Sequence, residues 1–231
     1  MNLDASREFL KFLKNVIEPS ITDIAKLEEK SRKHVQKLVY TNMVDRFDGT
    51  IDRLFLDNVR HPNLLPEALK DANETITQKD LFELLLQSTN LDEILNEKLR
   101  EGISNTITRN NHAQKLSTLF RLCAGNASAH GNTPRVNPAT GAIIDKIKPQ
   151  KKATQPYTIV GYADWLYARR NAIVHGTGTS LFLTRDADRI QKMHRVKIAK
   201  SFKISLGSIG IAKAFYSEVI DLFENNHDLT S

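Results

Sequence analysis

Apolar residues recur at three- and four-residue spacing through the first half of this 231-residue chain, a period that selects helices over strands. Phe9, Leu10, Phe12, Leu13, Val16 and Ile17 make one such stripe, which Pro19 is expected to close. Ser20-Ile21-Thr22-Asp23 then reads as an N-cap. Ile21, Ile24, Leu27, Val35, Leu38, Val39, Met43, Val44, Phe47, Ile51, Leu54, Phe55 and Val59 continue the spacing. They predict one long helix or two, with a bend at Asp48-Gly49 and an end at His61-Pro62. A two-proline connector follows. Thr77 with Asp80 three residues on resembles a capping box with Asp in place of Glu or Gln, so a helix starts there. Asn90 starts another, through about Ser104, and 111–124 is a further helix ended by Gly125.

The second half breaks this rhythm. Residues 125–157 hold four prolines and three glycines with few large apolar residues, which predicts a long loop. Helix returns over 158–174. Residues 195–206 alternate apolar and polar, the period of a half-exposed strand, and Ser180 to Thr184 is rich enough in strand-forming residues to pair with it. A small β-hairpin near 180–206 is therefore expected, and a closing helix over 209–223. The fold class that results is mainly α, a helical bundle with a long loop and that hairpin.

No apolar stretch approaches the roughly 18–20 residues that cross a bilayer. Residues 1–7 lack the basic start and apolar block of a signal peptide. The expectation is a soluble cytoplasmic protein with no membrane partner. A lone cysteine, Cys123, cannot form an internal disulfide or a cysteine-based zinc site, and it reads as a packed helical thiol. The net charge of +6 is unevenly spread. Residues 132–203 carry fourteen Lys/Arg against four Asp/Glu, whereas 1–131 are nearly balanced and 204–231 are acidic. A basic segment suits an anionic partner such as RNA, or forms a solvated face.

That segment contains Arg170-Asn171-Ala172-Ile173-Val174-His175-Gly176. On a helix Asn171 and His175 share a face and Arg170 lies beside them. Gly176 suits a helix C-cap. Histidine moves protons near neutral pH, and arginine holds a phosphate through paired hydrogen bonds. Metal-free RNA cleavage needs a base for the 2′-hydroxyl, an acid for the 5′-oxygen and positive charge at the phosphorus. One Arg-His set lacks the second acid or base, and a two-fold dimer would supply it. The plainer reading is a helix-terminal histidine at the dipole and an arginine in a salt bridge.

The run resembles the R-x(4–6)-H signature of HEPN domains, small helical domains of prokaryotic defence and toxin–antitoxin systems. Residues 40–51, Tyr40-Thr41-Asn42-Met43-Val44-Asp45-Arg46-Phe47-Asp48-Gly49-Thr50-Ile51, resemble the early helix of HEPN families tied to RNA processing and antiviral systems. The resemblance covers helices near 36–60, 158–176 and 208–224. It makes 1–231 one HEPN-like domain with insertions at about 61–157 and 177–206. It implies a metal-independent endoribonuclease with a composite site at a homodimer interface, where Arg170 and His175 carry catalysis and Asn171 assists. Cleavage leaves a 2′,3′-cyclic phosphate without cofactor or metal. It further implies a role in phage defence or growth arrest, with an antitoxin or sensor partner. The alternative is a non-catalytic HEPN module that binds RNA or a partner.

Other residues compete for roles. Arg169 in place of Arg170 makes the run R-x5-H. Asp164 can orient Arg or His, or be a solvated helix acid. Trp165 and Tyr167 can stack bases or pack in a core or dimer contact. His112, His130 and His194 have no carboxylate or cysteine at ligand spacing, so no metal site is assigned. Gly176-Thr177-Gly178 lacks the lysine and preceding strand of a phosphate-binding loop; Thr177 and Thr179 are minor candidates for a phosphate contact.

Overall fold

The computed structural model describes residues 1–70, 77–87, 90–123, 131–150, 152–175, 181–198 and 203–226, and they are mainly helical. The first stripe forms α1 (Asp4–Phe12), a π-helical turn (Leu13–Ile17) and α2 (Glu18–Ala25) in unbroken succession. Pro19 does not close the run. It sits in the first turn of α2, where its missing N–H falls beside a π turn that has already interrupted the regular hydrogen-bond ladder. Ser20 is therefore helical, not a cap, and its hydroxyl donates back to the Val16 carbonyl at 2.6 Å.

α3 (Glu29–Leu56) is one continuous helix with no break at Gly49, around which a Cβ would meet open space. Its face of Tyr40, Met43, Val44, Phe47, Ile51, Leu54 and Phe55 is fully buried. Around it pack α1, α7 (His112–Cys123), α8 (Ile159–Val174) and α10 (Leu206–Asn226). Aromatic rings join these layers: Phe47 stacks on Tyr216 at 4.2 Å, Phe9 lies 5.5 Å from Phe47, and Tyr162 meets Phe215 edge-on at 4.8 Å. Between α3 and α7 lie α4 (Leu65–Ala68), α5 (Gln78–Gln87), α6 (Leu91–Ile103) and a π turn (Ser104–Thr108). α5 begins just after Thr77 and α6 just after Asn90, as their start signals predict. Cys123 ends α7, and its side chain falls outside the described residues. α7 lies within the segment expected to be an insertion, yet Leu116, Leu119 and Phe120 belong to the common core.

Residues 133–150 and 152–157 are non-regular but packed. Val136 is fully buried, and isolated bridges join Pro134 to Thr158 and Val136 to Ile143. Gly141 turns this loop with φ +81°, and a Cβ there would lie 2.2 Å from the Ile211 carbonyl oxygen of α10. The expected hairpin is absent among the described residues. Leu181–His194 is instead helix α9, because after its strand-like start the segment places Ala187 and Ile190 three apart on one buried face. The alternation at Val196 and Ile198 is real burial of an extended chain, tied by one backbone hydrogen bond from Lys197 to Ala153 rather than by a partner strand. No helix among the described residues is long and apolar enough to cross a membrane.

α9 runs back along α8. Gly161 lets the end of α9 approach the start of α8, since a Cβ there would meet His194 Nδ1 at 2.8 Å. Midway, the buried Asp164 receives both Arg189 Nη atoms at 2.6 and 2.7 Å, with His194 Nε2 3.7 Å away. Asp164 is thus neither solvated nor aimed at the Arg-His run. Burial pushes its carboxyl up, but His194 and Arg189 outweigh it and hold the group below the ordinary carboxylate range. A depressed folded value gives stability that is complete above the unfolded value of about 4 and is lost as pH falls through the lower folded one. Asp164→Asn should cost on the order of 2 kcal/mol at pH 7, and urea titrations should show less acid destabilisation in the variant than in wild type below pH 4.

Candidate site at the end of helix α8

Thr158 caps α8, its hydroxyl accepting from the Gly161 N–H at 3.1 Å, and the helix runs to Val174. His175 occupies the C-cap position, exposed, its backbone N–H donating to the Asn171 carbonyl at 2.9 Å. Gly176, Thr177, Gly178 and Thr179 lie outside the described residues, as does His130. The helix places Arg170 and Asn171 side by side, and Arg170 Nη1 donates to Asn171 Oδ1 at 3.1 Å. Arg170 also reaches α3, where its Nε lies 2.5 Å from Asp45 Oδ1; the arginine is largely covered and the aspartate 43% exposed.

The neighbouring arginine has a different environment. Arg169 is buried, its guanidinium 4.6 Å from the Trp165 ring and 5.5 Å from the Tyr40 ring, and it donates to the Lys203 carbonyl at 3.0 Å. It joins α8 to α3 and to the chain entering α10. Of the two arginines, Arg170 is the one at the rim.

Beneath Arg170 lies a polar cluster that sequence reasoning missed. The Arg170 guanidinium sits 5.7 Å from the Tyr167 ring, and Tyr167 stacks on His112 of α7 at 4.8 Å with the planes 2° apart. Tyr167 therefore packs internally, as does the partly buried Trp165 against both hydrophobic clusters. His112 Nδ1 is 2.7 Å from Asp48 Oδ1, and the buried Lys115 Nζ donates to Asp48 Oδ2 and Asp52 Oδ1, both at 2.8 Å. Burial would raise Asp48, but the hydrogen bonds and charges of His112 and Lys115 bring it below its ordinary value. Asp52 is raised by burial, which Lys115 only partly offsets. Lys115 is raised because its two carboxylates outweigh desolvation. His112 and His194 thus find carboxylates through space that sequence spacing does not reveal. No group of three or more His, Cys, Asp or Glu is placed to hold a metal among the described residues.

A signal for this cluster was present. Asp45, Asp48 and Asp52 follow the helical period of α3, and His112 and Lys115 are three apart on α7. Acids on one helix and bases at matching spacing on another, both bordering core positions, mark facing stripes.

No family model, curated protein or solved structure matches this chain.

The cluster makes a stability prediction. His112→Phe keeps a ring against Tyr167 and removes the partner of a half-buried carboxylate. A loss of about 2 kcal/mol is expected by urea denaturation, with Lys115→Met costing at least as much because Asp48 and Asp52 then lose the cation they share.

Proposed function

We propose that this chain is a metal-independent endoribonuclease of the HEPN type, acting as a homodimer with Arg170, Asn171 and His175 of each copy bordering one composite cleft. The observation that carries the reading is the joint placement of an exposed histidine and a rim arginine at the end of one helix, backed by a buried hydrogen-bonded cluster. Val174, 49% exposed beside His175, offers an apolar contact for the second copy. In the reaction, one His175 takes the proton of the RNA 2′-hydroxyl and the 2′-oxygen bonds to phosphorus. The bond from phosphorus to the 5′-oxygen breaks, and the protonated His175 of the other copy delivers a proton to that leaving oxygen. Arg170 neutralises the charge that gathers on the phosphorane oxygens, and Asn171 orients the guanidinium. The products are a 2′,3′-cyclic phosphate and a 5′-hydroxyl. The basic residues of 132–203 draw RNA to the cleft, and the setting is phage defence or toxin–antitoxin growth arrest under an antitoxin or sensor.

A second reading, a non-catalytic module that binds RNA or a partner, is favoured by one observation: the close Asp45–Arg170 ion pair, which already offsets the charge of the arginine. Two experiments separate the readings. Wild type incubated with RNA in EDTA should cut and leave cyclic-phosphate ends. His175→Ala and Arg170→Ala, at unchanged circular dichroism, should lose roughly 100-fold or more in rate; absence of cutting by every protein would leave the binding module. Asp45 competes with phosphate for Arg170, so Asp45→Asn should raise RNA affinity about threefold by fluorescence anisotropy, a loss of roughly 0.65 kcal/mol of competition. Were the ion pair structural only, the same substitution would lower the melting temperature and leave RNA affinity unchanged.

A further inference from the structure

The first half of α3 projects beyond the core. Residues 28–31, 33 and 34 are all exposed, and burial becomes continuous only near Tyr40. This exposed arm is basic: Lys30, Arg32, Lys33 and Lys37 stand against Glu28 and Glu29. Some of that charge is internally used. Lys33 pairs with Glu29 at 2.5 Å, and Arg32 donates twice to the Leu27 carbonyl, holding the entry to the helix. Lys30 and Lys37 have no ion-pair partner among the described residues. They border a shallow surface hollow with Glu29, Lys33 and His34.

Helical geometry relates this hollow to the candidate site. His34, Leu38 and Asp45 fall on one exposed stripe of α3, interrupted by the buried Thr41, with Lys30 and Lys37 within roughly 60–80° of it about the axis. Lys37 lies about 12 Å, and Lys30 about 22 Å, along the helix from the turn that holds Arg170 through Asp45.

We propose that the exposed face of the α3 arm that carries Lys30 and Lys37 is a binding lane for the phosphate backbone of single-stranded RNA leading to Arg170. The inference rests on the ribonuclease reading and adds to it where the substrate lies. The lane falls outside 132–203, the segment that the overall charge tally singles out. Cationic side chains without protein partners along an exposed, mostly polar helix face match a chain of phosphates. They do not match a membrane interface, which needs an apolar face buried among acyl chains.

The test uses a fluorescein-labelled 20-nucleotide single-stranded RNA of mixed sequence, in EDTA, with the full chain carrying His175→Ala so that the probe is not cut. Binding is measured by anisotropy from 50 to 300 mM salt, alone and with Lys30→Ala/Lys37→Ala added. The lane predicts affinity about tenfold weaker at 0.1 M salt and a log–log salt slope shallower by about 1.4, two phosphate contacts at about 0.7 each. Lys11→Ala/Lys14→Ala, which removes equal charge from exposed positions of the first helical run, should leave the slope unchanged. An equal loss in both double variants reduces the effect to net charge and overturns the lane. Unchanged binding in Lys30→Ala/Lys37→Ala also overturns it, while the ribonuclease reading stands on cleavage by wild type. Absence of RNA binding by the His175→Ala chain, together with absence of cleavage by wild type, overturns both.

Discussion

The burial of Lys115 constrains this structure more than any apolar contact does. An ammonium group taken out of water is tolerated only where carboxylates meet it at hydrogen-bonding distance. Asp48 and Asp52 do so at 2.8 Å, and both come from α3. A sliding error of one residue between α3 and α7 would strand the cation and both acids, whereas interdigitated Leu and Phe side chains would tolerate it better. The ion cluster therefore sets the register in which the aromatic core closes. The same Asp48 orients His112, whose flat face carries Tyr167, and Tyr167 in turn lies beneath Arg170. The order of the rim thus begins in the interior.

Two charge networks divide the work in α8. Asp164, on one side, fastens α9 through Arg189 and His194. Arg169 and Arg170, on the other, fasten α3, one through ring faces and a carbonyl, the other through Asp45. Adjacent residues on a helix point about 100° apart, so neighbouring arginines necessarily meet different surroundings. That geometry, not any intrinsic difference, makes Arg169 a clamp and leaves Arg170 nearer the edge, paired to Asp45.

How much of this was legible in the sequence depended on the range of the interaction. Helix positions followed from local spacing, so α6, α7, α8 and α10 lie close to where the apolar stripes and caps place them, whereas the run expected from Ser20 to His61 is divided at 26–28 into α2 and α3, and α3 ends at Leu56. The failures are local signals overruled by the next turn of chain. Pro19 stops a helix only if the ladder before it is regular, and a π turn precedes it. Leu181 to Thr184 favours a strand only if read without Ala187 and Ile190, which commit the segment to a helical face. The placement of Arg170 and Asn171 side by side on α8, with His175 at its C-cap, was legible because it follows from local helical spacing. The partners were not, because Asp45 is 125 residues from Arg170 and Lys115 is 67 from Asp48, separations at which spacing carries no geometric information.

Charge shows the same dependence on scale. Averaged over 1–131, Lys and Arg are cancelled by Asp and Glu, and the region looks neutral. The fold undoes the average. It draws Asp48 and Asp52 inward to neutralise Lys115, spends Asp45 on Arg170, and leaves Lys30 and Lys37 on a projecting arm. A polyanion responds to the field within about 10 Å of its phosphates, the screening length at 0.1 M salt. It therefore meets the arm's local excess and not the balanced total. Near Arg170 the field is weaker than a count of basic residues suggests, because Asp45 cancels the guanidinium until something displaces it. On the proposed ribonuclease reading, an RNA approaching along α3 would arrive with its charge already partly neutralised by lysine, and would then exchange one carboxylate for one phosphate oxygen at the arginine, a swap between chemically similar acceptors.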